Sequence, residues 1–91
     1  MRDGRLFLKV HITKNQEVRF GIVVSKQVAA KAVDRNRIKR LLREAVKGCM
    51  PDIRAGYDIV LVTLPGFAAV SLQDAKQKVL SIMKKTSLLK P

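Results

Sequence analysis

The sequence predicts a small α+β domain with the order strand, strand, helix, strand, helix. Three observations predict it: apolar and polar residues alternate near the N-terminus, residues 57–63 form a near-continuous apolar run, and two later segments repeat apolar residues every three to four positions. The 91 residues suit a single domain, residues 1–91. Its core is expected to be thin, because a chain of this length buries little more than ~60% of the surface it exposes when unfolded.

The first two strands are predicted from alternation and from β-propensity. Leu6, Leu8, Val10 and Ile12 alternate with Arg5, Phe7, Lys9 and His11. Residues 18–25 contain the β-prone run Phe-Gly-Ile-Val-Val. Between the two lies a short polar segment, residues 13–17, whose length suits a hairpin loop. We therefore expect the two strands to form a hairpin.

The remaining elements are predicted from capping residues and periodicity. Asp34 is the expected N-cap of a helix from Arg35 to about Lys47, which Gly48 should end. The apolar run of residues 57–63 is typical of a strand covered on both faces. Ser71, followed by Asp74, resembles a capping box that opens the last helix. The inner stripe of that helix is Leu72, Ala75, Val79, Ile82 and Met83.

Charge is the unusual feature of the composition. Nineteen Lys and Arg residues against seven Asp and Glu give a net charge of +12. Such a field attracts polyanions, so the candidate partners are nucleic acid and acidic membrane. Cys49 is the only cysteine, which excludes an intrachain disulfide and a thiolate metal cluster. Because the sequence has neither a signal peptide nor a long apolar run, we expect a soluble, cytoplasmic protein. We expect neither a membrane nor an obligate protein partner.

The first predicted helix concentrates this charge on one side. On a helical wheel, its apolar stripe is Ile38, Leu41, Leu42, Ala45 and Val46. Opposite lie Asn36, Arg40, Arg43 and Lys47, while Arg35, Lys39 and Arg43 follow one border and Arg37 lies on the other. Arginine suits bidentate phosphate contacts, and Asn36 can hydrogen-bond a base edge or a sugar hydroxyl. The alternative is an ordinary solvated face with excess positive charge.

Three segments of the sequence form a specific pattern: Phe-Gly-Ile-Val-Val-Ser-Lys at residues 20–26, Arg-Asn-Arg-Ile-Lys-Arg-Leu-Leu-Arg-Glu-Ala at residues 35–45, and Gly-Tyr-Asp-Ile-Val-Leu-Val at residues 56–62 followed by Pro65. Together they resemble the protein subunit of bacterial ribonuclease P. The match runs from about Arg5 to the end of the chain. The spacing of the second segment makes it far more specific than a generic basic helix.

The resemblance implies a fold, a partner and a reaction. The family fold is an α/β sandwich of order α-β-β-β-α-β-α with a left-handed βαβ crossover, an exception to the right-handed rule. The family's first helix has no counterpart in this sequence. The resemblance also implies binding to the catalytic RNA and contact with the 5′ leader of precursor tRNA. Phosphodiester hydrolysis would then belong to the RNA and its Mg²⁺ ions, so the protein alone is expected to be non-catalytic.

The predicted site residues fall into two groups. The RNA-binding residues are Arg35, Asn36, Arg37, Lys39, Arg40, Arg43 and Lys47. The possible leader or substrate contacts are Phe7, Lys9, Ser25 and Lys26. No catalytic or metal-ligating residue is expected, because His11 is the lone histidine and the seven acids are scattered along the sequence.

Three other functions remain open. A general structured-RNA-binding or ribosome-associated protein would share the basic helix. A metal-dependent nuclease would need acids that meet only in the folded chain. Membrane binding is the weakest alternative, because the apolar stripe of the basic helix is committed to the core.

Overall fold

The computed structural model describes residues 2–14, 16–68 and 71–88. Along these residues the elements are β1 (Arg2–Asp3), β2 (Leu6–Ile12), β3 (Arg19–Val23), α1 (Ala32–Cys49), a 3₁₀ turn (Met50–Asp52), β4 (Tyr57–Thr63) and α2 (Leu72–Lys85). The predicted α+β class and the order of the five long elements are confirmed. β1 is a short additional strand that pairs with β2 and that the sequence pattern did not reveal.

The strands form one sheet in the order β1-β2-β4-β3. β4 lies antiparallel to β2, with Leu6 opposite Thr63 and Ile12 opposite Tyr57, and it lies parallel to β3. The predicted hairpin between the first two long strands is therefore wrong, because β4 separates them. A short polar loop is compatible with either arrangement, and Asn15 within it lies outside the described residues. β3, α1 and β4 form a βαβ unit. That its crossover is left-handed stays a prediction.

Both helices pack on one face of the sheet. Leu6, Leu8, Ile59 and Leu61 point to this side and are at most 2% exposed. Thr63 is buried there too, and its Oγ1 donates a hydrogen bond to the carbonyl of Val23 at 3.0 Å. No described helix covers the opposite side of the sheet, where alternate residues of β4 are only half-buried. The prediction that this strand is covered on both faces is thus wrong, because its apolar run has one buried and one open side.

The ends of α1 differ from the predicted ones. The helix starts at Ala32, and its N-cap is Lys31, which makes no side-chain capping bond. Asp34, the predicted N-cap, lies instead in the first turn, where a carboxylate still interacts favourably with the positive end of the helix dipole. The helix continues through Gly48 to Cys49, and Pro51 follows within the 3₁₀ turn.

The cap of α2 and four of the five predicted residues of its inner stripe agree with the sequence, while Leu72, the fifth, is only half-buried. The backbone N–H of Asp74 donates to the Ser71 hydroxyl at 3.2 Å, as an N-cap serine requires. Ala75, Val79, Ile82 and Met83 are all fully buried. They meet the buried stripe of α1, so that the two helices form a layer over the sheet and leave the opposite side of α1 to solvent.

Candidate nucleic-acid interface

The packing of α1 fixes which of its side chains face outward. Ile38, Leu42, Ala45, Val46 and Cys49 are buried against the sheet and α2. The remaining side presents what we call the α1 basic face: Asn36, Arg37, Lys39, Arg40, Arg43 and Lys47. Of these six residues, Lys39 is half-buried and the others are exposed. The structure therefore brings six of the seven predicted RNA-binding residues onto one helix surface.

The α1 basic face carries little compensating negative charge. Six basic and two acidic residues leave the helix with +4 of the chain's +12. Lys39, Arg43 and Lys47 repeat every four residues, a spacing at which like charges repel each other. Within the described ranges, Arg40, Arg43 and Lys47 make no hydrogen bond or ion pair with a protein group. These cations are thus available to an external polyanion, and the same anion would relieve their repulsion.

Arg35, the seventh predicted RNA-binding residue, points elsewhere. Its Nη1 donates to the carbonyl oxygens of Ala29, at 3.1 Å, and Ala30, at 2.8 Å. Both carbonyls belong to the segment that joins β3 to α1. Direct RNA contact by Arg35 stays a prediction, and its guanidinium is already engaged by the protein.

Ser25 and Lys26 lie in the turn that directly follows β3. Both side chains are exposed. The carbonyl of Ser25 accepts hydrogen bonds from the backbone N–H groups of Val28, at 3.1 Å, and Ala29, at 3.3 Å. Residues 29–31 connect this turn to α1, so Ser25 and Lys26 lie a few residues before the N-terminal end of the basic helix.

Phe7 and Lys9 lie on the open side of the sheet, opposite the helices. We call this side the outer sheet face and define it by its cross-strand rows. One row is Phe7, Val62 and Val23, the next is Lys9, Val60 and Gly21, and the last is His11, Asp58 and Arg19. Phe7 is half-buried, Lys9 is exposed and Val23 is 47% exposed. The two predicted groups of site residues therefore lie on opposite sides of the sheet, with Ser25 and Lys26 at one end of it.

One cation of the outer sheet face is neutralised. Arg19 binds Asp58 through two parallel hydrogen bonds, from Nε at 2.9 Å and from Nη2 at 2.8 Å. This carboxylate raises the pKa of the Arg19 guanidinium. The Arg19–Asp58 pair therefore forms the polar end of the outer sheet face, and the row of Phe7, Val62 and Val23 forms its apolar end.

Val23 and Val62 are candidate contacts that the sequence did not reveal. They lie in one row with Phe7 because β4 lies between β2 and β3, and no local pattern in the sequence encodes that strand order. Adjacent strands lie about 4.8 Å apart, so the row from Phe7 to Val23 spans about 10 Å. An apolar strip of this width with a lysine beside it can accept a flat aromatic group such as an unpaired base.

In residues 2–14, 16–68 and 71–88, no three His, Cys, Asp or Glu side chains cluster so that they could hold a metal ion. In the same part of the chain, no helix is long and apolar enough to cross a bilayer.

Comparison with known proteins identifies the family. The sequence model of the family described as Ribonuclease P matches residues 2–87. The chain belongs to the ribonuclease P protein family. It is 44% identical over 72 residues to the ribonuclease P protein component of Brevibacillus brevis and 36% identical over 88 residues to that of Syntrophomonas wolfei. These matches cover 79% and 94% of this chain, and 56% and 72% of the respective relatives.

Solved structures of the ribonuclease P protein share the fold. The Thermotoga maritima protein, in complex with 1-(4-fluorophenyl)-2-thiourea, has a TM-score of 0.82 and 26% identity, over 93% of this chain and 82% of that one. A Staphylococcus aureus ribonuclease P protein mutant has a TM-score of 0.86 over 98% of this chain and 75% of that one. Its identity is 24%, so it supports the fold alone. The chain spans between half and two thirds of several relatives, 60% in the case of the Cyanothece protein.

Proposed function

We propose that this chain is the protein subunit of a cytoplasmic ribonuclease P ribonucleoprotein. In this role it binds the catalytic RNA through the α1 basic face and assists the 5′ maturation of precursor tRNA. Phosphodiester hydrolysis is the chemistry of the RNA and the Mg²⁺ ions that the RNA holds. The protein contributes binding and positioning, and it makes the ribonucleoprotein an endoribonuclease only in combination with the RNA.

The observation that carries this proposal is the orientation of α1 in a member of the ribonuclease P family. Its buried stripe fixes Arg40, Arg43 and Lys47 outward and leaves them unpaired within the described residues. Arginine forks match phosphate geometry, and the exposed amide of Asn36 can reach a base edge or a sugar hydroxyl. A helix of this kind binds structured RNA mainly by neutralising phosphates.

We assign the substrate contacts to the outer sheet face and the turn beside it. Phe7 offers a ring on which an unpaired base of the 5′ leader can stack, and Lys9 on the next row can meet a leader phosphate. Ser25 and Lys26 extend this surface toward α1. Since the two surfaces lie on opposite sides of the sheet, one protein can contact the catalytic RNA and the leader at the same time.

Reconstitution tests the proposal. The chain is added to bacterial ribonuclease P RNA at low Mg²⁺, and precursor-tRNA cleavage is followed with and without the protein. We expect stimulation by the unaltered chain and its loss in the double variant Arg40→Ala/Arg43→Ala. The matched control, Lys14→Ala/Lys84→Ala, removes two exposed charges away from α1 and should still stimulate cleavage.

The leader assignment has its own test. Phe7→Ala should weaken binding of precursor tRNA with a 5′ leader about 5- to 150-fold, since stacking on one aromatic side chain contributes ~1–3 kcal/mol per base. Mature tRNA, which lacks the leader, should bind as before. Equal weakening with both tRNAs would contradict leader stacking. Equal binding of the protein to unrelated structured RNAs would instead favour the general RNA-binding function.

A further inference from the structure

We infer that Arg35 is a positioning residue, which holds the Ser25–Lys26 turn against the start of α1, and that it is not itself a phosphate ligand. The inference concerns the protein's own structure, and its consequence for RNA binding rests on the proposed function. It assigns to the first arginine of the Arg-Asn-Arg sequence a different task from that of Arg40 and Arg43.

The hydrogen bonds connect the turn to the helix in two steps. The carbonyl of Ser25 accepts from the N–H groups of Val28 and Ala29, which closes the turn. The carbonyls of Ala29 and Ala30 then accept from the Arg35 guanidinium. Arg35 lies within the first helical turn, because its backbone N–H donates to the carbonyl of Lys31 at 3.1 Å. One side chain thus links this segment to α1 by hydrogen bonds, in addition to the packing of Val28 and Ala29 against the core.

The local sequence makes this tie necessary. Ala29 and Ala30 carry only methyl groups, and Ala30 is exposed, so this part of the segment has little apolar surface to bury. The N-cap, Lys31, makes no side-chain hydrogen bond that would fix the entry into the helix. Side chains on a helix tilt toward its N-terminus, which directs Arg35 back over the segment. Both carbonyls accept from the same nitrogen, Nη1, which the planar guanidinium holds in a fixed orientation, whereas the ammonium of lysine lacks that fixed geometry.

Electrostatics also argue against a phosphate-binding role for this residue. A cation at the N-terminal end of a helix faces the positive end of the dipole, so its position there requires compensating acceptors. The two carbonyls supply them. A phosphate bound by Arg35 would have to compete with both. Arg40 and Arg43 are exposed and have no such competitors among the described residues.

Hydrogen exchange of the free protein tests the inference without RNA. In Arg35→Ala, the amides of Val28 and Ala29 should exchange at least about fivefold faster, because the segment that carries them loses its tie to the helix. Arg35→Lys keeps the charge and should show most of the same increase. Arg40→Ala removes one charge from the same helix without touching the segment and serves as the matched control. Unchanged exchange at both amides in Arg35→Ala would overturn the inference.

The salt dependence of binding to ribonuclease P RNA supplies the second readout. Arg35→Ala and Arg35→Lys should both weaken binding and leave the slope of log affinity against log salt unchanged. A phosphate ligand would give the opposite pattern: the slope would fall by ~0.7–0.9 in Arg35→Ala, and Arg35→Lys would restore both slope and affinity. That pattern would refute the positioning role.

A double-mutant cycle tests whether Arg35 holds the Ser25–Lys26 turn in place. Lys26→Ala should weaken RNA binding in the unaltered protein and have less effect when Arg35 is already alanine, because the turn is then no longer held in place. Fully additive losses would count against the inference. If neither the unaltered chain nor any variant bound ribonuclease P RNA, the proposed function would fail. The hydrogen-exchange result would still decide the role of Arg35.

Discussion

Arg40→Ala gives the most direct test of how α1 meets RNA. Arg40 is exposed and lies opposite the buried stripe of the helix, so its replacement removes one charge and leaves the core intact. Alanine is also the best helix former, and an exposed substitution of this kind changes stability by no more than about 0.5 kcal/mol. Any change in RNA binding can therefore be attributed to the lost side chain.

The magnitude follows from the number of basic residues on the face. Apart from Arg35, α1 has five: Arg37, Lys39, Arg40, Arg43 and Lys47. If each neutralises one phosphate at ~0.7–0.9 per contact, the slope of log affinity against log salt is about −4. Raising the salt fourfold, from ~50 to ~200 mM, then weakens binding about 250-fold. With one contact fewer the slope is about −3.2, and the same change in salt weakens binding only about 80-fold.

Filter binding or fluorescence anisotropy with ribonuclease P RNA at four or more salt concentrations measures the slope. Arg43→Ala should behave like Arg40→Ala. Lys84→Ala, an exposed lysine of α2, is the control of equal charge and should leave the slope at its original value. If Lys84→Ala lowers the slope as much as Arg40→Ala does, the protein binds through its overall charge, and the α1 basic face has no special role.

Three further predictions concern stability, each measured by urea unfolding. Ser71→Ala removes the hydroxyl that accepts from Asp74 and should lower the free energy of unfolding by ~1 kcal/mol, whereas exposed Gln73→Ala should not. Leu61→Ala, at a fully buried position of the central strand, should lower it by ~2–5 kcal/mol; a loss below 1 kcal/mol would contradict the packing described. Burial raises the pKa of the Cys49 thiol, so the unfolded chain loses this proton first. Stability should therefore fall as the pH rises above ~8.5, by at most ~1.4 kcal/mol per pH unit, and Cys49→Ala should remove that part of the slope.

Local signals in the sequence predicted the elements well. The alternation in β2 and the apolar run of β4 led to the right strands, and the run at residues 57–63 coincides with β4. The Ser71 cap was predicted because its acceptor and donor lie only three residues apart. The start of α1 was misplaced, since Asp34 is a favourable residue both as an N-cap and within the first turn. Its true start depends on the segment before it, which Arg35 ties down.

The arrangement of the strands could not be predicted from the same signals. Whether β2 pairs with β3 or with β4 depends on which contacts bury the most apolar surface, and β2 and β4 are more than forty residues apart in the sequence. Because the strand pairing was predicted wrongly, the residues that make up the outer sheet face could not be predicted either. Because β4 was predicted to be covered on both faces, Val62 was not expected on an open surface beside Phe7. The register nevertheless places these two residues directly opposite each other.

The position of β4 has a consequence for how the two candidate surfaces work together. It is the strand that pairs on one edge with β2, which carries Phe7 and Lys9, and on the other with β3, which leads through the Ser25–Lys26 turn into α1. The outer sheet face and the α1 basic face are therefore parts of one sheet-and-helix unit, and the segment that Arg35 holds connects β3 to α1. A change at Arg35 should accordingly weaken leader binding through the Ser25–Lys26 turn, in addition to lowering the affinity for the catalytic RNA. Precursor tRNA and mature tRNA, each bound to the ribonucleoprotein assembled with saturating protein, separate the two effects. A loss in Arg35→Lys that is confined to precursor tRNA supports this role of the turn, and an equal loss with both tRNAs contradicts it.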